Sequence, residues 1–198
     1  NNGASVGSVL QDMFIRGDRI YFVTQNGSVN GGDGSLVVAD VRTMKKISAA
    51  DLNFTANGVD CWPQHIVVVS DTKAYLQYAT SDWEANSGIR VLDLNTLTVS
   101  SEDLQGTYGQ FSVAGATKGR MLFSKGKVYA PCGQSLAVID AATDEVTKVD
   151  YGMQIKGIAK GSDGKVWMIL AGGGVVDDKI VAVDENGNEI AGTAFEFE

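Results

Sequence analysis

The chain is poor in the side chains that most metal and redox chemistry relies on. Its 198 residues include one histidine, His65, and two cysteines, Cys61 and Cys132. Two cysteines exclude a disulfide-rich scaffold. They share no close motif spacing with each other or with His65, so no metal site and no metal cofactor are expected. Only two prolines occur, which excludes a proline-rich disordered segment. No apolar run is long enough to cross a bilayer. Basic charge is scarce too: 16 Lys and Arg stand against 24 Asp and Glu, a net charge of −8. The lysines are scattered singly, and such a surface repels polyanions, so no nucleic-acid partner is expected. Apolar spacing at i, i+3 and i+4 is sustained nowhere, which argues against helices. The chain begins at Asn1 without an initiator Met or a signal peptide. Processing or cutting from a longer parent is the expectation, and the missing leader does not place the protein in the cytoplasm.

What is present is glycine, 24 residues of it, and a repeat. The phrase Leu136-Ala137-Val138-Ile139-Asp140-Ala141-Ala142-Thr143-Asp144-Glu145-Val146 shows the unit: an apolar run ends on an aspartate, a small turn follows, and an outer strand begins. Four copies align on an aromatic in the second strand (Tyr21, Tyr75, Tyr129, Trp167) and an aspartate ending the third (Asp40, Asp93, Asp140, Asp184). The aspartates recur at intervals of 44 to 53 residues, the length of a propeller blade. Each is expected to accept backbone N–H groups from the turn that follows it. The runs Leu36–Ala39, Ile66–Val69 and Ile180–Val183 are apolar at every position. A sheet with one wet face would alternate, so these runs imply sheets covered on both sides. The expected fold is therefore all-β, a β-propeller built of four-stranded antiparallel blades. Residues 1–198 are read as one partial propeller domain with blades at about 9–54, 63–105, 118–150 and 155–198. Baring about 500 Å² of apolar surface at each end of an open arc would cost roughly 12 kcal/mol per end. That rivals the whole stability of a domain, about 5–15 kcal/mol. Completion within a larger, seven- or eight-bladed ring is the preferred answer, with pairing of two copies or closure alone as the others.

Turns on one rim are short, and the connections on the other are long and polar, which makes the long-loop rim the expected binding face. The candidate ligand-binding residues there are Asn26, Asn30, Trp62, Gln64, Asp82, Trp83, Tyr108, Gln110, Phe111 and Gln134. Aromatic platforms beside amides and carboxylates suit a polar organic ligand with flat apolar faces, such as a sugar or a macrocycle. The structural alternative is that Trp62 and Trp83 only plug gaps between blades. His65 is either a base or a hydrogen-bonded structural residue. No catalytic set follows from spacing, so the chain is not expected to be an enzyme. Cys61 and Cys132 fall on the same rim, and two separate buried thiols are expected rather than a bridge. The glycine-rich stretches 30–34 and 172–174 lead into no helix and so do not read as phosphate cradles. Exposed hairpin loops, rather than calcium at Asn30/Asp33 or Asp177/Asp178, explain their acidic neighbours.

The cores Leu136–Thr143 and Ile89-Arg90-Val91-Leu92-Asp93-Leu94-Asn95-Thr96 resemble the YVTN/YncE-type β-propeller repeat, over nearly the whole chain. The segment Trp62-Pro63-Gln64 and the Asn- and Trp-rich loops are similar to a branch of that family found in surface lipoproteins of Gram-negative bacteria. Some of its members capture vitamin B12 for an outer-membrane transporter. The resemblance implies a non-enzymatic, ligand-binding protein of the bacterial cell surface or periplasm, lipid-anchored in its parent. Its ligand would be a nutrient such as a corrinoid or glycan, with an outer-membrane transporter as partner. Members usually form seven blades, and four here is a departure. A propeller enzyme (a lyase or quinone-dependent dehydrogenase) and a surface-layer or protein-docking scaffold are the alternatives.

Overall fold

The computed structural model describes residues 9–25, 34–81, 87–109, 120–174 and 176–197. These residues form strands and turns, in two compact units, 1–103 and 104–198. The first unit opens with a sheet of β1 (Val9–Arg16), β2 (Arg19–Gln25), β3 (Gly34–Asp40) and β4 (Lys46–Asp51), antiparallel and in chain order. Its second sheet runs β5 (Thr55–Ala56), β6 (Val59–Val68), β7 (Lys73–Thr80), β8 (Ser87–Asp93) and β9 (Thr98–Val99). The second unit holds β10 (Leu122–Ser124), β11 (Lys127–Cys132), β12 (Ser135–Asp140) and β13 (Val146–Asp150) in one sheet. Its other sheet is β14 (Gln154–Lys160), β15 (Val166–Ala171), β16 (Lys179–Val183) and β17 (Phe195–Glu196). The four sheets are β-propeller blades, the all-β architecture read from the repeat.

Three local readings are corrected. Residues 55–64, which hold Trp62 and Gln64 of the expected long-loop rim, form a hairpin instead of a long connection: Asn57 (φ 49°) and Gly58 (φ 81°) turn β5 into β6. Two successive residues at positive φ match the twist of paired strands, and Asn-Gly is the dipeptide best suited to it. Trp62 and Gln64 therefore sit within a strand, not on a loop. Gln134 lies on a two-residue turn between β11 and β12, not on a long loop. The outer strands β9 and β17 are two residues each, shorter than the pattern implied.

Within each unit the blades pack face to face. Tyr21, Val23, Leu36, Val38 and Leu52 of the first blade bury against Ile66, Val68, Leu76, Leu92 and Leu94 of the second. In the second unit Tyr129, Leu136 and Val138 do the same against Ile155, Val166, Met168, Leu170 and Val181. The opposite side of the first blade carries its own buried row, Ile20, Phe22, Val37 and Ala39. Both-sided burial is what the unbroken apolar runs required.

The four aspartates act as expected. Asp40 Oδ1 accepts from Thr43 N–H at 2.7 Å and Arg42 N–H at 3.1 Å. Asp93 accepts from Asn95 N–H at 2.7 Å, Asp140 from Ala142 N–H at 2.8 Å, and Asp184 from Asn188 N–H at 2.8 Å. The turns then reverse through a left-handed residue: Met44, Leu97, Asp144 and Gly187 all have positive φ.

One charged group is enclosed between the strands of the second blade. Arg90 is 3% exposed. Its Nη2 donates to Thr55 O at 2.9 Å, its Nη1 to Ser100 O at 3.4 Å, and its Nε to Asp103 Oδ1 at 3.3 Å. The guanidinium lies 5.1 Å from the Phe54 ring and 5.3 Å from the Tyr78 ring. Gly88 admits this arrangement, since a Cβ there would lie 2.6 Å from Asp103 Oδ1 and 2.8 Å from the Tyr78 hydroxyl. Removing one member of a buried pair strands the other. We expect Arg90→Met to lose about 3 kcal/mol of stability in urea unfolding, because Asp103 and two carbonyls are left without their donor.

Acid should loosen the turns. The backbone N–H of Thr43 holds the Asp40 carboxyl below the ordinary value, and the Lys127 ammonium does so for Asp140. The Lys165 ammonium lowers Asp163 from 3.8 to about 2. A carboxylate whose folded pKa is depressed contributes stability above its unfolded value and loses it as pH falls through the folded one. Urea midpoints should therefore hold at neutral pH and fall between roughly pH 4 and 2, and Asp163→Asn should remove part of that fall.

Candidate functional site

Burying a polar group costs free energy unless it finds a partner, so buried polar side chains mark places where the fold has a second task. They are unevenly distributed. Asp12, Thr24, Ser35, Gln64, His65, Gln77, Thr80, Ser87 and Arg90 are buried in the first unit, against Thr107 and Ser124 in the second. Apart from Arg90, half of the first group, Thr24, Ser35, Thr80 and Ser87, sit at the strand ends that flank residues 26–33 and 82–86, and Asp12, Gln64, His65 and Gln77 lie inside their strands.

Bulges aim the central members. Strands β1, β6 and β14, each first in its four-stranded ladder, slip register at Leu10/Asp12, Pro63/His65 and Ile155/Gly157. After the slip, Asp12 faces Val23, His65 faces Gln77 and Gly157 faces Ile169, each partner two residues past the landmark aromatic. Asp12 and His65 thus hold equivalent positions in adjacent blades. A bulge re-aims the side chain beside it, and here the two meet: His65 Nδ1 lies 3.3 Å from Asp12 Oδ2. The same oxygen accepts the Ile66 N–H at 3.2 Å. An ionised carboxylate only accepts, so in a neutral ring Nδ1 carries the proton and Nε2 the lone pair. Nε2 is buried without a hydrogen-bond partner among the described residues, and so is Oε1 of Gln77. Residues opposite one another in an antiparallel pair share a face, which puts two acceptors side by side.

Above this pair the polar contacts continue. Gln64 Nε2 donates to Gln25 Oε1 at 3.1 Å and approaches Trp62 O at 3.5 Å. The hydroxyls of Thr24 and Ser35 lie 2.8 Å apart, and Ser35 N–H donates to Thr24 Oγ1 at 3.1 Å. Gly34 lets the blades meet here: a Cβ on it would lie 2.6 Å from Pro63 Cδ and 2.8 Å from Thr24 O. Beside the start of β6 is a cavity of about 300 Å³ lined by Asn53, Phe54, Thr55, Asp60 and Cys61. Burial pushes the Cys61 thiol up to about 12 and the Cys132 thiol up to about 11. Both cysteines are free and buried, two separate thiols as expected.

Of the residues predicted from sequence, Trp62 is half-buried on β6 and Gln64 is fully buried at its bulge, the two joined through the Gln64 amide. Tyr108 is half-buried in the turn at 105–109 and Gln134 is exposed, both in the second unit. Asn26, Asn30, Asp82, Trp83, Gln110 and Phe111 lie outside the described residues. Sequence reasoning missed Asp12, Gln25, Thr24, Ser35 and Gln77. A polar residue inside an otherwise apolar strand, as in Tyr75-Leu76-Gln77-Tyr78, was the available signal. Among the described residues no three His, Cys, Asp or Glu side chains gather to hold a metal ion. Asp178 is occupied by accepting the Gly172 N–H at 2.9 Å.

Known structures share this fold. The extracellular domain of a Bacteroides thetaiotaomicron protein assigned to a one-component system matches 95% of the chain at 14% identity and a TM-score of 0.59, the chain spanning 24% of it. A hypothetical selenium-binding protein from Sulfolobus tokodaii matches 95% at 10% identity and a TM-score of 0.63, with 55% of it spanned. A Bacteroides fragilis protein assigned as exported matches 95% at 9% identity and a TM-score of 0.56, with 57% of it spanned. The chain therefore covers a quarter to somewhat over half of these larger structures. No curated protein matches the sequence. With its repeat, its blades and a family match over residues 1–195, the chain belongs to DUF5074, a family described as a domain of unknown function.

Proposed function

We propose that this domain is a non-enzymatic, ligand-binding propeller working outside the cytoplasm, where it captures a nutrient such as a corrinoid or glycan on the long-loop rim of its first unit. The observation that carries this reading is the concentration of buried polar groups there, from Thr24, Ser35 and Gln64 down to His65 and Gln77. Such groups fix the orientation of a polar ligand, while Trp62 and the Phe54-lined cavity offer the apolar faces it needs. Extracellular and exported Bacteroides proteins of the same fold support the location. In the parent protein the domain would be lipid-anchored and would pass its ligand to an outer-membrane transporter. Thermal shift against cyanocobalamin and a panel of oligosaccharides tests the binding: a ligand at a hundred times its Kd adds about 2.7 kcal/mol. Trp62→Ala should weaken that ligand about tenfold or more. No stabilisation by either class would overturn the reading, and unchanged affinity would take Trp62 out of the site.

One observation favours a second reading. A carboxylate-oriented imidazole whose Nε2 has no hydrogen-bond partner among the described residues is the arrangement of a general base. On that reading the domain is a propeller enzyme, a lyase or quinone-dependent dehydrogenase, and His65→Ala abolishes its turnover. A His65→Ala variant as active as the parent would remove His65 from the chemistry.

A further inference from the structure

The second unit has its own cavity, at the end of the blades where the turns are short. It measures about 370 Å³, within the range of small-molecule sites. Its apolar floor is Val166, Val183 and Ile190, with the Tyr129 ring. Its mouth is made by the β10–β11 turn, the β14–β15 turn and the turn after β16, which bring Ser124, Lys125, Glu185 and Asn186 to the same opening.

Ser124 is 3% exposed, and its hydroxyl has no hydrogen-bond partner among the described residues. A hydroxyl both donates and accepts, and leaving it buried and unused is costly. The cavity that Ser124 lines is where a partner can enter. Lys125 sits at φ 51° in a left-handed turn, and a Cβ built on Gly164 would lie 4.0 Å from its Nζ. The ammonium of one blade thus hangs over the bare turn of the next, with no ion-pair partner among the described residues. Lys165, in contrast, is held by Asp163 at 2.8 Å. The Asp184 carboxylate is committed to its own turn, accepting from Asn186 and Asn188 N–H.

Charge decides the class of ligand. Lys125 and Lys165 are matched by Asp163, Asp184 and Glu185 around the opening, on a chain of net charge −8. The negative field is felt at the floor: burial first, then Asp184 and Glu185, push the Tyr129 hydroxyl above its ordinary value. An anion meets those carboxylates, and a cation meets Lys125. A neutral molecule with several hydroxyls satisfies both, donating to Glu185 and accepting from Lys125 and Asn186, with its C–H face on the valines and Ile190.

We infer that this cavity is a binding site for a neutral sugar residue, separate from the rim of the first unit and independent of the function proposed for it. The test is saturation-transfer NMR on the whole chain with glucose, galactose, mannose and N-acetylglucosamine, and glucuronate as the charged comparison. At least one neutral sugar should give transfer, more strongly than glucuronate. Ser124→Ala with Asn186→Ala should cut its affinity at least tenfold while leaving the circular dichroism spectrum unchanged. Asn186→Ala alone, on an exposed turn, should cut it severalfold and guards against a misfolded double variant. No transfer from any neutral sugar, a preference for glucuronate, or undiminished binding in the double variant would each overturn the site. The first unit is probed through Trp62, so the two proposals fail separately.

Discussion

The structure depends on sheets that are buried on both faces. Val37, Val38, Val67 and Val68 are consecutive along their strands, point to opposite sides, and are all almost fully enclosed. A sheet in that position has no wet face on which to set polar groups. Polarity is pushed to the strand ends, to the free edge of the first strand, or into an interior cluster of hydrogen-bonded charges. Each outlet is used. Thr24 and Ser35 bond to each other at a strand end, and Arg90 takes three kinds of partner at once: two carbonyls, a carboxylate and aromatic rings.

The free edge of the first strand links packing to the site. Among the described residues, strand β6 has no strand neighbour on that side beyond its short pairing with β5, and its N–H groups need acceptors. Asp12 supplies one from the adjacent blade by taking the Ile66 N–H. The same carboxylate holds His65 by Nδ1 and leaves Nε2 without a hydrogen-bond partner among the described residues. Satisfying an edge and orienting an imidazole are thus one interaction, possible only because both strands bulge at the equivalent point.

The two units resolve the same architecture differently. At the position held by Asp12 and His65, the fourth blade has Gly157, which brings no side chain to the edge. The first unit therefore gathers its buried polar groups near the long connections. The second keeps its open space at the short turns, where Gly164 leaves room and Lys125 leans across. Repetition of the backbone did not require repetition of the chemistry.

Much of the architecture was legible because its causes are local. An aspartate two or three residues before a backbone N–H bonds it wherever the turn forms, so Asp40, Asp93, Asp140 and Asp184 could be assigned from spacing. Apolar runs without alternation announced burial on both sides. Asn57-Gly58 was equally local and was passed over, at the cost of reading Trp62 and Gln64 as loop residues. The site was less legible. A period-two pattern says which face a residue takes, not which residue of another blade it will meet.

By itself, then, the amino-acid order determined the strand-and-turn repeat, the two-sided burial of its sheets and the aspartate-capped turns, all set within a few residues. Only the tertiary structure decided that Asp12 would reach His65, 53 positions away, and that Lys125 would reach the turn at Gly164. Those meetings depend on bulges and on blade-to-blade packing, and neither is written in any short stretch of chain.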